Sequence, residues 1–305
     1  MGSVKAIEQI GFGSVLAGWE RDFPLMTVTR HMSGLIGKPI DAMIPFEAGG
    51  LNSPIVLTLA ARMGIAAIDA DALGRSAPET QMTSWHGHGV SITPMPLADS
   101  MGNLVVVSTA SQPTYVDEIG RVVVSKGGYL GANNHHPMTG GQVKQTSIPG
   151  TFSVALALGQ AVLAARERRA DPIAAISERV GASAKYAVKV TGLREQEHLG
   201  FYFTTMEFET ERAQIGELII KNETMMMRVG QQIVCMFPDR VLLLEPGTGR
   251  GVMSIELREG MPVVLLIAPA HPRLQAAAQT TQGRNSMSPA RYGQPDLQYR
   301  PLEAG

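Results

Sequence analysis

The residues best placed to do chemistry are Asp69, Asp71, Arg75, Glu79, His86 and His88, gathered in one short stretch of the chain. Asp69 and Asp71 follow directly on the apolar run Ile65 to Ile68. Carboxylates at i and i+2 point to the same side of an extended chain. That presents either hard oxygen ligands or a base with an orienting acid. Arg75 carries a rigid fork of donors suited to a carboxylate or a planar, imide-like group. Gly74 before it permits the close backbone approach such a group needs. His86 and His88, flanked by glycine, can chelate one metal ion if the segment is extended. Structural readings compete at each position: Asp69 can cap a turn, and Asp71 can pair with Arg75 as a simple ion pair.

A second polar element is Glu47-Ala-Gly-Gly-Leu-Asn52. Gly49 and Gly50, between a strand and a helix, either present backbone N–H groups to an anion or carbonyl oxygen or form a tight turn. Neither a Gly-Lys-Ser/Thr step nor a GxGxxG pattern follows, so the phosphate fingerprints are missing. Asn133-Asn-His-His136 sits in the Gly-rich stretch 127–141, read as a polar loop that binds ligand or is simply solvated. Met225 to Met227 read as adaptable core, Cys235 as a small buried apolar residue, and Pro238-Asp239 as a turn. His31, His198 and His271 are isolated and take no role.

These groups need elements to hold them. Apolar spacing predicts helices over 4–17 and 25–36. A strand from Ile40 to Phe46 then enters the glycine turn. Asn52-Ser-Pro54 starts a helix that Gly64 ends, and a second strand covers Ile65 to Ile68. Strand, helix and strand make one βαβ unit, which implies a parallel sheet with ligands at the carboxyl ends of its strands. Further strands are expected at 90–93, 103–107 and 121–124, and helices at 151–168 and from Asp171-Pro172 to near Gly181. From Tyr186 the pattern becomes all strand: 186–193, 201–209, 215–221, 232–236, 241–244 and 263–267. The stretch after Ala270 reads as extended or partly mobile. The fold class is therefore α/β, with a βαβ-type domain over 1–183 and a mainly β domain over 184–305.

Composition narrows the function classes. A formal net charge of −1 and 5% aromatic residues argue against a nucleic-acid partner. One cysteine allows no intramolecular disulfide and no thiolate cluster. The N-terminus has no continuous apolar run, so no signal peptide, membrane span or membrane partner is expected, and the cytoplasm is the expected compartment. A small-molecule substrate is the partner that remains.

The stretch EAGGLNSPIVLTLAARMGIAAIDADALGRSAPETQM, from Glu47 to Met82, resembles the S-methyl-thiohydantoin desulfurase-like family, formerly a domain-of-unknown-function family. That family's pattern runs E-x-G-G-L-N-S, then a strand ending D-x-D, then G-R-[AS]-x-P-E-x-Q-M. The resemblance continues through Leu97-Ala-Asp99, Gly102-Asn103, His136 to Gly140, Pro149 to Thr151, Asn222-Glu223, Pro238-Asp239 and Arg258 to Gly260. It covers about Ile40 to the C-terminus. It implies an α/β part followed by a mostly β part, with the family split near the Gly102-Asn103 step, around position 108. Family members usually carry a GGGG-type loop near the N-terminus; Gly11-Phe-Gly-Ser14 is its one trace here, and the region is expected to be tens of residues shorter.

Relatives are often encoded beside hydantoinase and oxoprolinase-type enzymes, so the resemblance implies a hydrolase or desulfurase acting on a hydantoin- or thiohydantoin-type cyclic imide or amide. In that scheme Arg75 and the Gly49-Gly50 turn hold the ring carbonyls, with Glu47, Asn52, Asn133 and His136 as further substrate contacts. Asp69 or Asp71, with His86 or Glu79, activates water, with a divalent metal (Zn or Mn) on Asp71, His86 and His88 as an added element. The rival reading is a non-catalytic accessory or ligand-binding subunit of a hydantoinase/oxoprolinase system. A homo-oligomer is expected under the first reading and a foreign partner under the second. A nucleotide-dependent enzyme stands behind both, for want of a fingerprint.

Overall fold

The structure, a computed structural model, describes residues 2–6, 24–198 and 200–303. Most of the helix expected over 4–17, and Gly11 to Ser14 with it, lies outside the described residues, whereas 2–6 form a strand. The chain divides into two compact units, Met1–Phe152 and Ser153–Gly305.

The first unit runs β1 (Gly2–Ala6), α1 (Pro24–Ile36), β2 (Ala42–Met43), α2 (Asn52–Met63), β3 (Ala66–Ala67), β4 (Ala70–Asp71), α3 (Ser84–Gly87), β5 (Met95–Asp99), β6 (Leu104–Val107), α4 (Pro113–Lys126), β7 (Leu130–Asn134), α5 (Gly140–Thr146) and β8 (Ile148–Pro149). The expected βαβ unit is present: β2 and β3 pair in parallel, Ala42 with Ala66 and Met43 with Ala67. Gly64 ends α2 in the left-handed conformation and donates its N–H back to the last turn.

That pair stands apart from the main sheet. The four-stranded sheet, in order β1-β7-β5-β6, is antiparallel throughout, which corrects the parallel sheet inferred from one βαβ unit. The cause is local. Asp99 Oδ1 accepts the N–H groups of Met101 and Asn103, both at 2.9 Å, and Oδ2 accepts Asn103 Nδ2 at 2.8 Å. With Gly102 at φ 91°, this closes a hairpin between β5 and β6.

Two segments differ from expectation. Arg121 to Val124 lie in α4, because Val116, Gly120 and Val124 recur at helical spacing and are buried while Val122 is exposed. Residues 127–141 are not a polar loop: all five residues of β7 are buried, between β1 and β5. Glycine makes this possible, since a Cβ on Gly131 would lie 2.7 Å from Val124 Cγ2 and 3.2 Å from the Ala98 carbonyl. Residues 90–93 form no strand and lead into a cis Thr93–Pro94 bond. Alternate residues of the sheet face two apolar clusters. Ala98, Leu130 and Ala132 pack with Leu25, Val28, Met43, Val56 and Leu59, whereas Met95 and Leu97 pack with Ile92, Val107, Val116 and Val124.

The second unit holds most of α6 (Thr151–Glu167), then α7 (Pro172–Val180) and seven strands: β9 (Ala184–His198), β10 (Phe201–Thr210), β11 (Ile215–Lys221), β12 (Glu223–Val229), β13 (Gln232–Met236), β14 (Arg240–Leu244) and β15 (Pro262–Ala268). They form one antiparallel sheet in the order β13-β12-β11-β10-β9-β15-β14. It curls until Thr224 Oγ1 of β12 donates to the Val241 carbonyl of β14, at 3.1 Å. Cys235 is buried in its core, as expected, with Met227 across the ladder. Ile173 and Ile176 of α7 bury against Leu244, Val264 and Leu266, joined by Leu158 and Val162 of α6. The helices over 153–180 thus pack within the second unit. The tail also departs from expectation, forming α8 (Pro272–Gln279) and α9 (Thr281–Ser286). Buried Asp239 holds it by accepting Ala270 N, Gln275 Nε2, Tyr299 Oη and Leu302 N. Among the described residues no helix is long and apolar enough to cross a membrane.

Candidate functional site

The carboxylates of Asp71, in β4, and of Asp69, just before it, part company. Asp69 is exposed, and its Oδ1 accepts the Phe152 N–H at 2.8 Å in the first turn of α6. Asp71 is fully buried. Its Oδ1 accepts the N–H groups of Gly74 at 2.7 Å and Leu73 at 3.1 Å, an Asx-type turn that lets the chain double back after the strand. Burial pushes this carboxyl up to about 7, against the N–H groups of Gly74, Leu73 and Ala48, which favour the charged form. Asp71 Oδ2 has no hydrogen-bond partner among the described residues. The backbone amides of the 73–74 turn, not Arg75, hold this carboxylate. Arg75 is half-buried, with Nε donating to the Ser76 carbonyl at 2.9 Å.

Contacts around Asp71 close on themselves. The Ala72 N–H donates to the Phe46 carbonyl at 3.2 Å, and Ser84 N and Oγ donate to the Ala72 carbonyl at 3.1 and 2.7 Å. Next to Ser84, the Trp85 ring lies 5.5 Å from His136, His136 lies 4.9 Å from His135, and His135 meets Phe46 edge-on at 5.4 Å. Phe46, Asp71-Ala72, Ser84-Trp85 and His135-His136 thus encircle one small region. Trp85 Nε1 is fixed by donating to Ser147 Oγ at 2.8 Å.

The two imidazoles meet Nδ1 to Nδ1 at 2.6 Å, so one nitrogen carries the proton and the other accepts it. His136 is buried in the left-handed conformation, φ 51°. Burial holds its pKa well below the ordinary value, and repulsion from His86 adds to this. Burial also lowers the pKa of half-buried His86. The site therefore contains neutral imidazoles beside a carboxyl poised near neutrality.

Glu47, Asn52 and Glu79 support this arrangement from within. Glu47 Oε1 accepts Asn52 Nδ2 at 2.6 Å, and Oε2 accepts the Ala77 N–H at 2.8 Å, tying the glycine turn to the segment after Arg75. Glu79 is buried and accepts Gln81 Nε2 at 2.7 Å. Asn133, buried in β7, turns its Nδ2 toward Met95 Sδ at 3.5 Å. The glycine turn is not an open set of donors: Gly49 N donates to Ser53 Oγ at 3.2 Å and Gly50 is exposed. The N–H of that turn directed at the buried carboxyl is the one on Ala48.

The expected metal chelate on Asp71, His86 and His88 does not form. Residues 84–87 are helical and capped by Thr83, so the chain is not extended there; His88 is exposed while His86 points inward. Among the described residues no group of three or more His, Cys, Asp and Glu could hold a metal ion. Sequence reasoning passed over Phe46 and Trp85, which encircle the site with the imidazole pair, Gln81, buried beside Glu79, and Asp117 and Arg121. Asp117 accepts Thr80 N and Oγ1 at 3.0 and 2.6 Å and Arg121 Nε at 2.7 Å, while Arg121 Nη2 donates to the Pro78 carbonyl at 2.6 Å. Arg121 at i+4 from Asp117 was the one sequence signal for that clamp.

Two family domains match the chain: the S-Me-THD-like N-terminal domain over residues 4–109 and the S-Me-THD-like C-terminal domain over 111–302. The Glu47 to His88 segment falls in the first, and His135 and His136 in the second. Among solved structures, the crystal structure of a protein from Chromobacterium violaceum matches with a TM-score of 0.70 at 19% identity, covering 99% of this chain and 84% of that one. At that identity the likeness establishes the fold. No curated protein matches.

Proposed function

The chain belongs to the S-Me-THD-like family, and from that premise we propose that it is a hydrolase of desulfurase type, acting on a hydantoin- or thiohydantoin-type cyclic amide. The observation that supports this reading is the buried Asp71 carboxyl, poised near pH 7, with one oxygen held by backbone N–H groups and the other without a hydrogen-bond partner. A carboxyl in that state takes and returns protons at neutral pH. Phe46, Trp85 and the imidazole pair supply flat, largely apolar walls suited to a five-membered planar ring.

In the proposed reaction on an S-substituted ring, water oxygen bonds to the ring carbon that bears sulfur as its C=N π bond opens onto the ring nitrogen; one water proton passes to Asp71 Oδ2 and the other moves from oxygen to that nitrogen. The C–S bond then breaks, and the leaving thiolate takes the proton from Asp71. The products are the ring carbonyl compound and a thiol, and the carboxylate is restored. Glu47 and Glu79 orient the 77–81 segment and stay outside the proton path.

The test is turnover of hydantoin, thiohydantoin, S-methyl-thiohydantoin and oxoproline by the purified protein, with and without added Zn²⁺ or Mn²⁺. Thiol release from the S-methyl ring, lost in Asp71→Asn, is the expected result. Absence of turnover with every ring, or full activity in Asp71→Asn, overturns the enzyme reading.

A further inference from the structure

Among the described residues, Asp71 Oδ2, Gln81 Oε1, Asn134 Oδ1 and His136 Nε2 are buried polar atoms that lack a hydrogen-bond partner, each on a side chain no more than 1% exposed. Leaving such atoms unpaired is costly, so their chemistry indicates what they are built to meet. The amide orientations are fixed by their other ends. Gln81 Nε2 must be the end facing Glu79 Oε2, an acceptor, which leaves Oε1 on the far side. Thr29 Oγ1 spends its hydrogen on the Leu25 carbonyl at 2.6 Å, so it can only accept from Asn134, which fixes Nδ2 there and leaves Oδ1 over. As a carboxylate, Asp71 offers only acceptor sites. His136 Nε2 takes either role, according to which Nδ1 of the imidazole pair holds the proton. Three of the four are acceptors, and none has a fixed donor role.

We propose that the ligand of this site enters as a hydrogen-bond donor: an uncharged ring that keeps its ring N–H, which it presents to Asp71 Oδ2 and Gln81 Oε1. The proposal rests on the reading that the site binds a cyclic amide, and adds the form in which that amide binds. N-alkylated rings are excluded on two counts: the donor is lost, and a methyl group takes its place against buried oxygens. Gln81 thereby becomes a specificity-determining residue, held in register by Glu79 and, one residue further along, by the Thr80–Asp117 bonds.

Matched pairs of rings test this on the full chain: hydantoin, thiohydantoin, succinimide and pyrrolidinone, each against its fully N-methylated form, by titration calorimetry or ligand-observed NMR. The N–H member should bind about 10-fold or more tightly than its methylated partner, the scale of a hydrogen bond to a buried charged acceptor. Gln81→Met should shrink that ratio at unchanged affinity for the methylated ring, and Asp71→Asn, which places an N–H where Oδ2 stood, should abolish it. Circular dichroism of each variant must match the parent. Equal or tighter binding of methylated rings, or no binding by any pair, overturns the proposal. Donor-dependent binding of the other rings with none of hydantoin or thiohydantoin would sink the functional reading above and leave the donor requirement standing.

Discussion

Asp69 and Asp71 are two residues apart across one short strand, yet Asp69 is exposed and receives a helix N–H while Asp71 is buried with a carboxyl near pH 7. The residues after each carboxylate set the difference. Asp69 is followed by a strand residue paired to Pro149, which brings the start of α6 over it. Asp71 is followed by a turn at Leu73 and Gly74 that folds back over it. The same residue type is thus used once as a cap and once as a buried carboxyl whose pKa is raised.

The raised pKa of Asp71 makes a stability prediction. Its folded value, about 7, lies above the value of 3.8 expected of an exposed aspartate, so the folded state holds the extra proton between those limits. The resulting stabilisation is complete below about pH 4 and is lost as pH rises through about 7, a change on the order of 4 kcal/mol. Asp71→Asn should remove that dependence. In urea titrations at pH 5 and pH 8, the parent should lose stability relative to the variant at pH 8.

His136 acts in the opposite sense. Its folded pKa lies well below the ordinary 6.5, so its contribution is present above pH 6.5 and is lost as pH falls toward the folded value. The variant that tests this must tolerate φ 51°, which favours asparagine. His136→Asn should therefore flatten the acid side of the stability curve, measured as urea midpoints from pH 7 to pH 5. An unchanged acid limb would show that the imidazole is not buried neutral.

Much of the positioning framework was legible in the sequence, because strong local signals coincide there. Asn52-Ser-Pro54 opens α2, Gly64 closes it, and β2 and β3 flank it as read. The imidazole half of the site was not legible as such. The stretch 127–141 is polar and glycine-rich, which reads as loop, but its glycines are there because β7 runs against Val124 and the Ala98 carbonyl with no room for a Cβ. Long-range packing of that kind leaves no local period. Likewise, His86-Gly-His88 suggested an extended chelate until Thr83 capped the segment as a helical turn.

Gly131→Ala tests that account of β7. The added methyl would lie 2.7 Å from Val124 Cγ2, within a strand pressed between β1 and β5. Overpacking of this kind costs about 1–3 kcal/mol. The thermal midpoint should fall, and any catalytic loss should accompany a displaced His135-His136 pair, visible as changed imidazole NMR shifts. A variant as stable as the parent would remove the packing reason for this glycine.

Arg121 offers a remote handle on the site. Its guanidinium joins Asp117 to the Pro78 carbonyl, and Asp117 is 1% exposed. Arg121→Met keeps the apolar stem but leaves a buried carboxylate without its cation, which costs roughly 3–5 kcal/mol when such a pair is broken. Asp117→Asn with Arg121→Met removes both charges and should recover part of that loss. If the double variant is no more stable than Arg121→Met alone, the pair is not coupled as the contacts require.

Asp69→Ala separates capping from catalysis. Losing the carboxylate leaves the Phe152 N–H without this acceptor in the first turn of α6, where N-terminal N–H groups have no intrahelical partner. The cost should be that of a lost cap, about 1 kcal/mol. Because Asp69 is exposed while Asp71 carries the buried proton, turnover per folded molecule should stay within about twofold of the parent, since surface changes away from the reacting groups have small effects. The Asp71→Asn variant should show the reverse, a more stable protein at pH 8 and no turnover. Were Asp69→Ala instead the inactive variant at unchanged stability, the proton-handling role would belong to Asp69, and the burial of Asp71 would have to be explained by folding alone.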